Sequence, residues 1–160
     1  MSKVNEHVYR SAREFLALCE RAEKQAVEIT DFHYAYNANL AFSIELFLKS
    51  MNAKSQSKVI LEVGSSSLSN DFTNCLIKGH NLSQLFEKLN FKIQEELSVS
   101  FTGHRCNVSC RALKNVLVEL DLAFIENRYS FEKAGLYVGH NPELLLWTAR
   151  FFEEILNPNN

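Results

Sequence analysis

Two stretches of this 160-residue chain place charges where a helical repeat calls for apolar side chains. At about 100° per residue, Arg128 falls within about 40° of both Leu117 and Phe124. A guanidinium is therefore carried on a face that packs. Asp121, seven residues earlier, projects nearly the same way, and Glu132 follows Arg128 at the i,i+4 distance of an ion pair. Upstream, Glu45 stands between Ile44 and Leu46 in the most apolar segment of the chain, with Lys49 four residues on. A buried charge must be paired or pay heavily in lost hydration, so Glu45 and Arg128 are expected to face one another, or nearly so, between two long helices. Such a network has two uses. It can fix helix register, the reading that weighs more because buried ion pairs are often only structural. It can also form a polar pocket in which Arg128 binds an anion or polarises a phosphate.

His80 opens the segment Gly79-His80-Asn81-Leu82 and His140 precedes Asn141-Pro142. Either imidazole could act as a general acid or base. Supporting a turn by hydrogen bonding is the favoured role for both. His104, Cys106 and Cys110 form H-x-C-x3-C, but no convincing further ligands exist and the usual C-x2-C spacing is absent, so no metal is expected. No cofactor is expected either: the chain has no G-x-G-x-x-G, no G-x-x-x-x-G-K-[ST] and no G-x-S-x-G. Two runs carry basic residues without acids, Lys49/Lys54/Lys58 and His104/Arg105/Arg111/Lys114. They could touch phosphates, though short runs of this kind are ordinarily solvated surface.

The elements that must position these groups read as helices. The first runs from about Asn5 to Val27 on the stripe Val8, Ala12, Phe15, Cys19, Ala22, Ala26. Thr30 or Asp31 can cap a second, which is apolar nearly all round between Leu40 and Met51 and so should be covered on several sides, as the central helix of a bundle. Residues 53–79 break the pattern. Val59–Val63 and Phe72–Ile77 could pair as a small β-hairpin across a loop of Ser65-Ser-Ser and Asn70-Asp71, or they could be ragged helix ends. Asn81 caps a short helix, with Gln84 three residues on. Another short helix covers Phe91 to about Val99. A long helix should cover about Asn107 to Glu132, and Asn141-Pro142 starts the last. The expected class is all-α: an up-and-down bundle of four main helices plus one or two short ones in a single domain, 1–160.

Composition agrees. Five glycines and two prolines disfavour a turn-rich β fold. Seventeen basic against nineteen acidic residues leave a charge of −2, which excludes a polycation. No apolar run approaches a membrane span and no secretory leader is visible, so Cys19, Cys75, Cys106 and Cys110 are expected as reduced thiols in a cytoplasmic protein.

Three segments together resemble HEPN-domain proteins, a superfamily named for higher eukaryotes and prokaryotes nucleotide-binding. They are Ala41-Phe-Ser-Ile-Glu-Leu-Phe-Leu-Lys49, Gly79-His-Asn-Leu-Ser-Gln-Leu-Phe-Glu-Lys-Leu89 and Phe124-Ile-Glu-Asn-Arg-Tyr-Ser-Phe-Glu132. The resemblance implies a helical bundle, often a homodimer. Many such proteins are metal-independent ribonucleases with an Arg-x4–6-His motif. Arg128 matches the arginine, but Lys133, Ala134 and Gly135 stand where its histidine would be, and His140 is twelve residues away. The non-catalytic reading is therefore preferred: a module in a regulatory or defence context that binds a nucleotide, RNA or a protein partner, with Glu45, Lys49, His80, Asp121, Arg128 and Glu132 lining or bracing the site. The alternatives are a divergent, toxin-like ribonuclease using Arg128 with His80 or His140, and a structural subunit of a larger assembly.

Overall fold

In the computed structural model, residues 4–25, 32–130 and 139–158 are described here. Helix α2 (His33–Ser50) is the axis of the molecule. Its run of apolar residues leaves no polar face, so it is stable only when surrounded. It packs against α1 (Glu6–Gln25), α3 (Leu82–Glu87), α6 (Ala123–Arg128) and α7 (Pro142–Ile155). Leu40, Ala41, Ile44, Phe47 and Leu48 are fully buried along it. Two polar residues are accommodated through helical carbonyls: Ser43 Oγ donates to Ala12 O at 2.8 Å and Ser50 Oγ to Phe47 O at 2.6 Å. The expected central helix is thus observed. The Thr30/Asp31 cap proposed for it lies outside the described residues.

Four helix starts follow local side-chain chemistry, those of α1, α3, α4 (Phe91–Thr102) and α7. Asn5 Oδ1 accepts from Val8 N–H ahead of α1, and Asn81 accepts from Gln84 N–H at α3. Asn90 does the same for Lys92 at α4. Asn141 receives Glu143 and Leu144 N–H, with Pro142 in the first turn of α7, where its missing donor costs nothing.

The expected all-α class is corrected by residues 53–75. They form two long antiparallel strands, β1 (Ala53–Val63) and β2 (Ser66–Cys75), so the chain is mixed α/β. The hairpin considered from sequence is present and longer, with Val59–Val63 in β1 and Phe72–Cys75 in β2, but those two segments do not face each other. Val59 faces Ser69 and Phe72 faces Gln56, which carries Asn70-Asp71 into β2. The turn is only Gly64-Ser65, with Gly64 at φ +60 in the first of two loop positions. Only the first loop position has positive φ, so one glycine suffices and a glycine-poor chain can still build the turn. One register shift lies between Val59 and Leu61, a β-bulge. Residues 54–69 are exposed wherever their side chains are described, so the pair stands off the helices as an arm. At its root Asn5 Nδ2 donates to Ser55 Oγ at 2.9 Å.

The expected long helix over 107–132 is also corrected. It is broken into α5 (Leu113–Glu119) and α6, and residues 107–112 are turns and irregular chain. The break falls at Leu122, which adopts φ +64 as the N-cap of α6. Left-handed backbone costs an L-residue about 1–2 kcal/mol. Leu122 is also 44% exposed, so its side chain recovers little by burial. Leu122→Gly is expected to raise the unfolding free energy by about 0.5–1 kcal/mol, and the β-branched Leu122→Val to lower it. Urea denaturation checks both. A glycine variant less stable than wild type by more than about 1 kcal/mol would reject strain at this position.

Candidate functional site

The site is built where α2, the entry to α3, and α6 meet. Glu45 is 1% exposed and both its oxygens are occupied. Lys49 Nζ donates to Oε1 at 2.6 Å from the next turn of α2, and His80 Nδ1 lies 2.9 Å from Oε2. An ionised carboxylate only accepts, so the proton is assigned to His80 Nδ1. In the neutral tautomer this leaves Nε2 as an acceptor. The His80 side chain is 48% exposed, so its ring runs from a buried anchor out to solvent. The Cys75 thiol is raised, chiefly by burial; Lys49 works against this and Glu45 adds to it. Burial thus disfavours a thiolate there.

Phe124, on α6, is the platform of the site. Its ring stacks on Phe42 at 5.0 Å, lies 5.4 Å from the His80 ring, and has the Arg128 guanidinium carbon 5.6 Å from its centroid. Arg128 also reaches the Tyr129 ring at 5.5 Å. The i,i+4 spacing of Phe124 and Arg128 puts a ring beneath a cation, where the ring's quadrupole attracts it. Arg128 is exposed, and among the described residues it makes no ion pair. The expected Glu45–Arg128 juxtaposition is therefore replaced: Glu45 holds Lys49 and His80, while Arg128 lies on aromatic rings.

Asp121 goes elsewhere for a local reason. The left-handed Leu122 separates it from α6, and its carboxylate turns to α3, where Oδ1 receives Ser83 N–H at 2.7 Å and Oδ2 receives Ser83 Oγ–H at 2.6 Å. It fastens the N-terminus of α3 and with it the His80 turn. Glu132 lies outside the described residues, as do Lys133 to Gly135. His140 does not join His80. Its Nε2 is 3.7 Å from Glu126 Oε2 and its backbone carbonyl accepts from Asn37 Nδ2 at 3.3 Å. Its buried Nδ1 and Asn37 Oδ1 have no hydrogen-bond partner among the described residues.

The H-x-C-x3-C segment is spent on local structure. His104 Nε2 is 3.2 Å from Glu154 Oε2, and its Nδ1 accepts Cys106 N–H. Among the described residues no group of three His, Cys, Asp or Glu side chains could hold a metal ion. A separate cleft of about 540 Å³ opens beside Trp147, and Arg105 and Arg150 on its rim are paired with Glu154 and Glu20. Burial there would raise the Glu154 carboxyl, but hydrogen bonds from Arg105 and His104 outweigh it and hold the group low. The cations of that cleft are already neutralised, so the Arg128 surface is the better anion site.

Phe42, Tyr129 and Ser83 were not singled out from sequence. For Tyr129 a signal was present: an aromatic, then Arg-Tyr at i,i+4 and i,i+5, marks a guanidinium framed by rings. No described helix is long and apolar enough to cross a membrane. Comparison of the chain with protein-family models, curated proteins and solved structures finds no match.

Proposed function

We propose that the chain is a HEPN-like, non-catalytic binding module of the cytoplasm, working as a homodimer, that holds a phosphate-bearing ligand, RNA or a nucleotide, at Arg128 and His80. One observation carries the reading: an exposed guanidinium and a half-exposed imidazole share the Phe124 ring, with no carboxylate among the described residues bound to the guanidinium. Arg128 supplies a fork of donors that matches phosphate oxygens, and the rings hold it in place, so less entropy is lost on binding. The three-segment resemblance supports the same reading.

Fluorescence anisotropy with a labelled RNA and thermal shift with nucleotides test it. Arg128→Ala is expected to weaken binding at least about tenfold and to make it less salt-dependent, since one phosphate contact is lost. An Arg128→Ala protein that binds as tightly as wild type, or a wild type that binds neither ligand, overturns the reading. If nothing binds, a partner-binding structural subunit takes its place.

A second reading is favoured by the Glu45–His80 bond. A buried carboxylate that fixes one imidazole nitrogen and leaves the other facing outward is how enzymes orient a general base. In a divergent ribonuclease His80 would be the acid or base and Arg128 would stabilise the pentavalent phosphate. RNA left intact by wild type at every protein concentration, or cleaved equally by His80→Ala, removes this reading.

A further inference from the structure

We propose that the β1–β2 arm joins two copies of this chain, the β2 edge of one pairing antiparallel with the β2 edge of the other about a two-fold axis through Ser69. The inference rests on the homodimer proposed above and names its interface; it does not depend on the ligand, and loss of cross-linking at Ser69 in a protein that still dimerises would remove the interface alone. An isolated two-stranded hairpin is marginal in water and ordinarily needs a third strand or a covering helix. Among the described residues this one has no third strand, and it exposes Val59, Ile60, Leu61, Val63, Leu68 and Phe72, each more than two-fifths accessible.

The two edges of the arm differ. β1 carries the bulge between Val59 and Leu61 together with Lys54 and Lys58, devices that keep an edge from being paired. β2 has none of these. It holds regular register from Ser66 to Cys75, has no lysine and no proline, and contains one ionisable side chain besides Cys75, Asp71. The two-residue turn makes Val63 and Ser66 a hydrogen-bonded pair, so by alternation Ser67, Ser69, Asp71 and Thr73 direct their N–H and C=O groups away from β1.

Charge selects both the register and the occupant. Centred on Asp71, two copies would set carboxylate against carboxylate. Centred on Ser69, each Asp71 lies opposite Ser67 of the other copy, whose hydroxyl can donate to it, and Ser69 meets its own counterpart. That register gives three narrow pairs, each exchanging two backbone hydrogen bonds. The strand is thus complementary to itself. Because each arm has a single open edge, association closes at two copies.

The full chain is to be examined by light scattering over a wide concentration range. Wild type is expected to dimerise. Ser69→Pro removes an outward donor that the arm's own ladder does not use, and is expected to give a monomer with unchanged helical circular dichroism. Ser69→Cys offers a readout that does not depend on the proline variant folding. The two-fold would bring the paired Cα atoms to about 5.5 Å, within disulfide reach. Mild oxidation should therefore give a covalent dimer well above the background of wild type and of Val59→Cys on the blocked edge. A wild type that stays monomeric throughout overturns the proposal. So does a dimer that survives Ser69→Pro while Ser69→Cys cross-links no more than Val59→Cys.

Discussion

Glu45→Ala is expected to lower the unfolding free energy by about 3–5 kcal/mol, the cost of removing one partner of a buried ion pair. The carboxylate is 1% exposed and the Lys49 side chain 14% exposed, so the ammonium left behind has little access to water. His80, at 48% exposure, can recover hydration, so the penalty falls on Lys49. Two variants separate charge from packing. Glu45→Gln keeps the volume and should lose less. The double replacement Glu45→Leu/Lys49→Leu removes both charges and should recover most of the loss, because an apolar pair of similar size often equals or exceeds a buried ion pair in stability. Urea unfolding with an unchanged slope measures all three. Glu45→Ala within about 1 kcal/mol of wild type would mean that the pair contributes nothing to the fold.

Phe47→Ala is expected to be at least as damaging, again about 3–5 kcal/mol, through a different mechanism. The ring is fully buried on α2, 5.5 Å from Tyr9 of α1 and 6.5 Å from Phe152 of α7. Its removal opens a cavity where three helices meet, and neighbours anchored on separate helices can collapse into it only in part. In a domain of this size the loss corresponds to a fall in melting temperature of roughly 10 °C or more. Phe91, 77% exposed, is the control: Phe91→Ala should stay within about 0.5 kcal/mol of wild type. Equal effects at the two positions would refute the assignment of α2 as the core axis.

The residues that could be read from sequence were those whose role is local. Asn81 and Asn141 announce their helices because a cap is decided within three residues. The Glu45–Lys49 pair follows from one turn of helix, and the central place of α2 from the absence of a polar face. What failed depended on extrapolation. Projecting Arg128 onto the stripe of Leu117 assumed an unbroken helix, and no glycine or proline warns of the break at Leu122. The left-handed residue follows directly on a tertiary contact, Asp121 with Ser83, which sequence does not display. Once the phase is lost, Arg128 cannot be aimed. The arm was underestimated because Ser- and Asn-rich sequence reads as loop, although a single Gly-Ser turn lets it pair along its whole length. His80 was expected to serve its own turn, and its bond to Glu45 spans 35 residues.

Leu76 N–H donates to Asn52 O at 2.9 Å, and the flanking Met51 and Ile77 are both buried in the helical core. The chain therefore leaves the body and returns to it within a single hydrogen bond. Everything from 53 to 75 is an excursion between two fixed points, and closing that gap with a short turn asks little of the chain in entropy. The arm and the helical body are separable pieces of architecture: one can lengthen, shorten or disappear without re-registering a single helix of the other.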